Sequence, residues 1–207
     1  MAEAGVKVKL NMNGIMAKVQ KKFMGRKYRD QAIKKAEKHF KKAHNKLIKE
    51  FEKHPVTKEL KAGPFGGNPS RTLGGYGNLY SFIGFQGGDP TEIVSAILKS
   101  DTKIDRRTGA AKKKGKNTME YNFRVKFPDM GQIEAMTPMP WENGRSWVRG
   151  IERGISGFGF YMNKMGGRSG GGFQTYNQIR GGGFRNVKYL TEIFSNFKKN
   201  LKTKDEK

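Results

Sequence analysis

Between Tyr28 and Lys53 the apolar residues Ile33, Ala36, Phe40, Ala43, Leu47 and Phe51 recur every three or four positions. That is the helical period, and it draws one apolar stripe down a single helix. At 1.5 Å per residue the helix is about 39 Å long, a spine around which the remaining chain must be arranged. Its other side is basic, with Lys34, Lys35, Lys38, Lys41, Lys42, Lys46 and Lys49 diluted by Glu37, Glu50 and Glu52. The residue before a proline avoids the α region, so Pro55 ends the helix and residues 54–57 read as a short break.

The flanking segments predict a small sheet. Residues 5–10, Gly-Val-Lys-Val-Lys-Leu, alternate with a period of two, the mark of a half-buried strand with Val6, Val8 and Leu10 inward. Residues 15–27 read as a short helical lead-in. Leu79 to Phe85 reads as a buried strand after a loop, 61–78, studded with glycine and proline. Asp89, Pro90 and Glu92 form a helix-start signature, predicting a helix over 91–99 with Ile93, Val94, Ile97 and Leu98 inward. Tyr121, Phe123, Val125 and Phe127 alternate on a further strand, and residues 131–139 are expected to pair with it across a turn at 128–131. A helix is expected at about 146–163, a strand at 173–180, and a last helix at about 188–199. The expectation is one α+β domain over residues 1–207: a long N-terminal helix packed on a small antiparallel sheet, and a C-terminal helix. Extended Gly-rich or basic loops fall at 61–78, 101–118 and 164–172, with a frayed tail at 202–207.

Charge narrows the function. Lys and Arg number 42 against 18 Asp and Glu, a net charge of +24. A chain this basic meets polyanions or acidic protein surfaces. With 35% hydrophobic residues and 28 glycines, the apolar core is thin for this length, as in a protein that completes its order within an assembly. There is no cysteine, hence no disulfide framework and no thiolate metal site. No apolar run reaches the ~18–20 residues of a membrane helix, so no membrane partner is expected, and the chain reads as soluble and unsecreted.

Candidate chemistry is sparse. His39 and His44 are five apart, and a helix turns them to different faces, so no metal site is expected of them. Pro128-Asp129 followed by Glu134-Ala135-Met136 faintly echoes a nuclease pattern, but Met136 stands where a lysine is needed, and a hairpin turn is the better reading. Gly166–Gly172 lacks the Gly-Lys-Ser/Thr ending of a phosphate loop, and Arg180-Gly181-Gly182 is a single Arg-Gly-Gly element. No catalytic residue, metal or cofactor is expected, and the chain does not read as an enzyme. The candidate polyanion or partner contacts are Lys34, Lys38, Lys41, Lys42, Lys46 and Lys49 on the helix, and Arg106, Arg107, Lys112, Lys113, Lys114 and Lys116 in a basic loop. Trp141, Arg145 and Trp147 are candidate interface anchors, since Trp and Arg are enriched at contact hot spots.

The order of these segments carries a resemblance. A long helix is followed by Pro55, Val56 and Thr57, and then, after an inserted loop, by Gly77, Leu79, Ser81 and Ile83. This resembles the tail-completion and neck (head–tail connector) proteins of tailed bacteriophages, in which such a run starts the sheet. The resemblance covers roughly residues 28–139. It implies a virion structural protein, assembled in the host cytoplasm, whose copies form a homo-oligomeric ring. The ring would join portal or adaptor to tail subunits and make non-specific contact with DNA in its channel. The alternative is a basic nucleic-acid-binding protein of ribosomal or chromatin-like type.

Overall fold

A computed structural model describes residues 1–11, 26–73, 77–113, 118–140, 142–154 and 184–202. In chain order its elements are β1 (Ala2–Asn11), α1 (Arg26–Lys53), α2 (Pro55–Lys61), a 3-10 turn (Gly63–Phe65), α3 (Leu79–Ile83), α4 (Thr91–Ser100), β2 (Lys103–Lys113), β3 (Thr118–Phe127), α5 (Met130–Met136), β4 (Pro138–Met139), β5 (Glu142–Ser146), α6 (Trp147–Arg153) and α7 (Leu190–Leu201). The fold is α+β, with the expected long N-terminal helix, antiparallel sheet and C-terminal helix. The chain divides into two compact units: Met1–Glu50, Ala96–Asp129 and Ile193–Lys207 in the first, Phe51–Ser95 and Met130–Glu192 in the second.

In the first unit β3 is the central strand, antiparallel to β1 on one side and β2 on the other. Val6 stands opposite Phe123 and Val8 opposite Tyr121. These four, with Val125 and Phe127, are buried, as the period of two requires when only one face is covered. Ala32, Ala36, Ala43 and Leu47 of α1 are buried as well, while Ile33 and Phe40 are half-buried. From α7, Phe194 and Phe197 each place their rings 5.6 Å from that of Phe127.

The second unit is built around Phe51, Leu60, Leu79, Ile83, Ile133, Trp147, Ile151 and Tyr189, all buried. Its α2 corrects the expected break at 54–57. His54 alone interrupts the helical path, and Pro55 occupies the first turn of a new helix, where its missing N–H removes nothing.

Leu79–Phe85 is not a strand. Asn78 caps a helix there by accepting the Ser81 N–H, and Gly84 ends it in the left-handed region at φ 89°. Leu79, Tyr80 and Ile83 are the buried residues, a spacing of one and four that suits a helix. A run this short does not reveal its period to sequence inspection. Pro55, Val56 and Thr57 therefore stand in α2, and Leu79, Ser81 and Ile83 in α3. The run that carries the connector resemblance is helical here and does not begin the sheet.

Two other segments differ from expectation. Residues 101–118, expected as a loop, supply β2, which pairs with β3 from Lys103 to Lys113. Its inward positions are few, and an edge strand rich in lysine reads as loop although lysine is what edge strands use to resist further pairing. Residues 131–139, expected as a strand beside β3, instead form α5 and then the short β4. Both neighbours of β3 are already β1 and β2, and β4 pairs with β5. On α4, Val94 and Leu98 are buried as expected, but Ile93 is exposed. The helix α6 begins at the Ser146 cap and ends at Gly154, φ 98°. The remainder of the helix expected to 163, the strand at 173–180, the loop at 164–172, the lead-in over 15–25 and the tail beyond 202 lie outside the described residues.

Candidate functional site

The charge is unevenly divided. The first unit carries 30 Lys and Arg against 10 Asp and Glu, a net +20, and the second 12 against 8, a net +4. The excess of positive charge lies in the first unit, and the expected lysines stand there. Lys34, Lys38, Lys41, Lys42, Lys46 and Lys49 are all exposed on α1. Lys46 is engaged, 3.0 Å from Asn200 Oδ1 and 3.8 Å from Glu50. Lys34, Lys38, Lys41, Lys42 and Lys49 make no ion pair among the described residues.

Arg106 and Arg107 are brought to this helix by a bulge in β2. The register shifts between Asp105 and Ala110, so four residues of β2 stand opposite Phe123 alone. Asp105 Oδ1 accepts the Arg107 N–H at 2.9 Å. Thr108 Oγ1 donates to the Asp105 carbonyl at 2.8 Å and accepts the Arg124 N–H at 2.7 Å, replacing a ladder bond that the bulge forfeits. The Arg29 guanidinium, on α1, donates to the carbonyls of Arg106 and Arg107 at 3.4 and 3.3 Å. The Arg106 guanidinium in turn pairs with Glu37, one helical turn from both Lys34 and Lys41.

The open face of the sheet is also charged. Rows across β1, β3 and β2 read Lys9, Glu120, Lys112; then Gly5, Arg124, Asp105; then Glu3, Lys126, Lys103. Opposite charges stand side by side in the first two rows, the third sets Lys126 between Glu3 and Lys103, and Arg124 Nε lies 3.1 Å from Glu3. Arg124 thus has Glu3 and Asp105 beside it, whereas on α1 Glu37 is taken by Arg106 and Glu50 by Lys46. Lys112 is exposed. The side chain of Lys113, and Lys114 and Lys116 entirely, lie outside the described residues, as does Trp141.

Trp147 is a core residue of the second unit. It is 2% exposed, and its ring meets Phe85 edge-on at 6.0 Å, so as an interface anchor it is corrected to a packing role. Arg145 is exposed. Of the histidines, His44 and His54 are held by contacts within the fold. His44 Nε2 is 3.1 Å from the Leu98 carbonyl oxygen, and its ring stacks on Phe40. Among the described residues no three of His, Asp and Glu gather as a metal set, and no helix is long and apolar enough to cross a membrane.

The sequence reading missed the bonds that tie Ser70, Asn78 and the start of α3 to α2 and the 3-10 turn. Glu59, fully buried, accepts the Leu79 N–H at 2.6 Å through Oε1 and the Ser70 N–H at 3.0 Å through Oε2. The Asn78 side-chain amide donates to the carbonyls of Gly63, Pro64 and Gly66 at 3.1, 3.0 and 2.7 Å. The turn thus gripped from inside holds Phe65 outward, 98% exposed. A buried glutamate inside an ordinary helix pattern gives no sign of its partners 11 and 20 residues on.

A second missed cluster surrounds Tyr189. Its hydroxyl lies 2.7 Å from Thr57 Oγ1, and burial holds it protonated far above the usual phenol range. His54 packs against the same ring at 4.8 Å, and its Nδ1 accepts the Val56 N–H at 3.2 Å. Burial lowers the His54 pKa, against the opposing pull of Glu192. Glu152 accepts the N–H groups of Tyr189 and Thr191 at 3.2 and 2.8 Å, supplying partners to the otherwise unpaired start of α7. Compared with known proteins, the chain matches no family model, no curated protein and no solved structure.

Proposed function

We propose that this chain is a virion structural protein of a tailed bacteriophage: a subunit of a ring in the head–tail connector, joining portal complex to tail around the DNA channel. The observation that carries the reading is the segregation of charge, +20 on one unit and +4 on the other. A connector subunit needs a surface that tolerates DNA and another through which like-charged copies can meet without strong repulsion. The near-neutral unit presents Phe65 on a loop held by buried hydrogen bonds, which suits a contact made many times over in a ring.

The second reading, a basic nucleic-acid-binding protein of ribosomal or chromatin-like type, is favoured by the unpaired lysine row of α1. Mass photometry and negative-stain microscopy of the purified chain, alone and with portal and tail proteins encoded beside it, separate the two. Closed rings or co-assembly are expected. A persistent monomer that binds RNA tightly, with affinity falling steeply in salt, overturns the connector reading in favour of the second.

A further inference from the structure

We propose that the lysine row of α1 and the bulge of β2 form one site for a phosphodiester backbone, with Arg107, Lys34, Lys38 and Lys41 at its centre. This deepens the connector reading, on which it rests for the presence of nucleic acid where the chain works. The bulge is a constructed feature. Asp105 and Thr108 fix its backbone from within, Arg29 fixes its two carbonyls from α1, and Gly109 lies where any Cβ would collide with the Phe123 ring. Bulges re-aim side chains, and this one sets the Arg106 guanidinium on Glu37 and the Arg107 backbone on Arg29 of α1. Arg106 is spent on Glu37, and that pair moors the bulge one turn from Lys34 and Lys41. The Arg107 side chain is exposed and makes no ion pair among the described residues.

The geometry favours phosphate over an acidic protein partner. Positions 34, 38, 41, 42, 45 and 49 share the outer arc of α1 and hold Lys, Lys, Lys, Lys, Asn and Lys. No apolar side chain interrupts them, while lysine is depleted and aromatic residues are enriched where proteins bind proteins. From Lys34 to Lys49 the row runs about 22 Å. A duplex presents a phosphate on each strand every ~3.4 Å, so about six phosphates of one strand face a row of five lysines and an arginine. Such contacts position a backbone and carry no sequence information.

The test is fluorescence anisotropy of the full chain with a labelled DNA duplex, and separately a single-stranded RNA of equal length, across a range of sodium chloride. Arg107→Gln and the triple variant Lys34→Gln/Lys38→Gln/Lys41→Gln are each expected to lower the logarithmic salt slope by about 1 per cation removed. Thr108→Val leaves the net charge unchanged and is expected to weaken binding by releasing the bulge. Lys103→Gln/Lys126→Gln, on the open face of the sheet, is expected to leave the slope unchanged. Tighter binding of either nucleic acid supports the site and names its source. Equal loss of slope from the sheet pair, or displacement of DNA by poly-glutamate at equal charge, overturns it. Mass photometry of the same variants keeps the two readings apart: rings retained with an unaltered salt slope overturn this site and leave the connector reading standing.

Discussion

The Glu59 carboxylate accepts the Leu79 N–H at 2.6 Å, across twenty residues of chain, while its second oxygen holds Ser70. One buried side chain of α2 thereby holds both Ser70 and the first residue of α3. Removing an acceptor from a buried donor costs about 1–3 kcal/mol per group. Glu59→Ala is expected to lose roughly 2–4 kcal/mol in urea unfolding, and Glu59→Gln, which keeps one acceptor, roughly half. A Gln variant as stable as the parent would show that Ser70 and Leu79 find other partners.

Asn78 offers a sharper distinction, because its two ends do different work. Its oxygen caps α3 and its amide grips three carbonyls. Asn78→Asp keeps the cap but sets a carboxylate against those carbonyls. Chymotrypsin is expected to cut at Phe65 faster in both Asn78→Asp and Asn78→Ala than in the parent. Protection retained in the Asp variant would mean that the amide bonds do not order the turn.

Phe65 itself buries nothing in its own unit. Phe65→Ser is expected to change unfolding free energy by no more than ~0.5 kcal/mol while, if the proposed ring forms, shifting mass photometry from ring to monomer. Rings that persist at the same protein concentration would remove Phe65 from the subunit contact.

Gly109→Ala probes the bulge from the opposite direction. A methyl group there meets the Phe123 ring head-on, and over-packing of this kind costs about 1–3 kcal/mol. Thermal unfolding is expected to fall accordingly, and a neutral outcome would show that Phe123 can rotate away.

His54 predicts a pH dependence. Burial of its ring disfavours the charged form and lowers its pKa, against the pull of Glu192, while its Nδ1 accepts the Val56 N–H. Unfolded histidine titrates near ~6.5. Below that value, and down to the lowered folded one, the unfolded chain binds the extra proton, so stability rises with pH through the window. The melting temperature is expected to fall between about pH 7.5 and 5.5. His54→Asn, which can still cap α2, is expected to flatten that slope, and an unchanged slope in this variant would assign it elsewhere.

Legibility in the sequence followed the length of each repeat. The stripe of α1, the alternation of Tyr121 to Phe127, the Asp89 cap and the spacing of Leu190, Ile193, Phe194, Phe197 and Leu201 all extend over enough residues to declare a period, and each forms the element expected. Leu79–Ile83 is one turn and a half, too short to choose between helix and strand without its Asn78 and Gly84 ends. The exposed lysines were readable because exposure is their default. Arg29 and Glu37, which carry the bulge to α1, were not, because their partners lie 69 to 78 positions away. Glu59 hid for the same reason.

The division of charge carries one more consequence. At physiological ionic strength, fields fade over about 8 Å, so two +20 surfaces resist crowding only when brought nearly together. In the proposed ring, copies that met through the near-neutral unit would escape that repulsion, and copies whose basic units lined a common axis would not. Nucleic acid threaded among them would supply the missing counter-charge, and closure would then be conditional on cargo: copies drift apart over an empty axis and converge on an occupied one. In such a ring the lysines would act as a proofreading element, letting the joint close only where there is something to conduct.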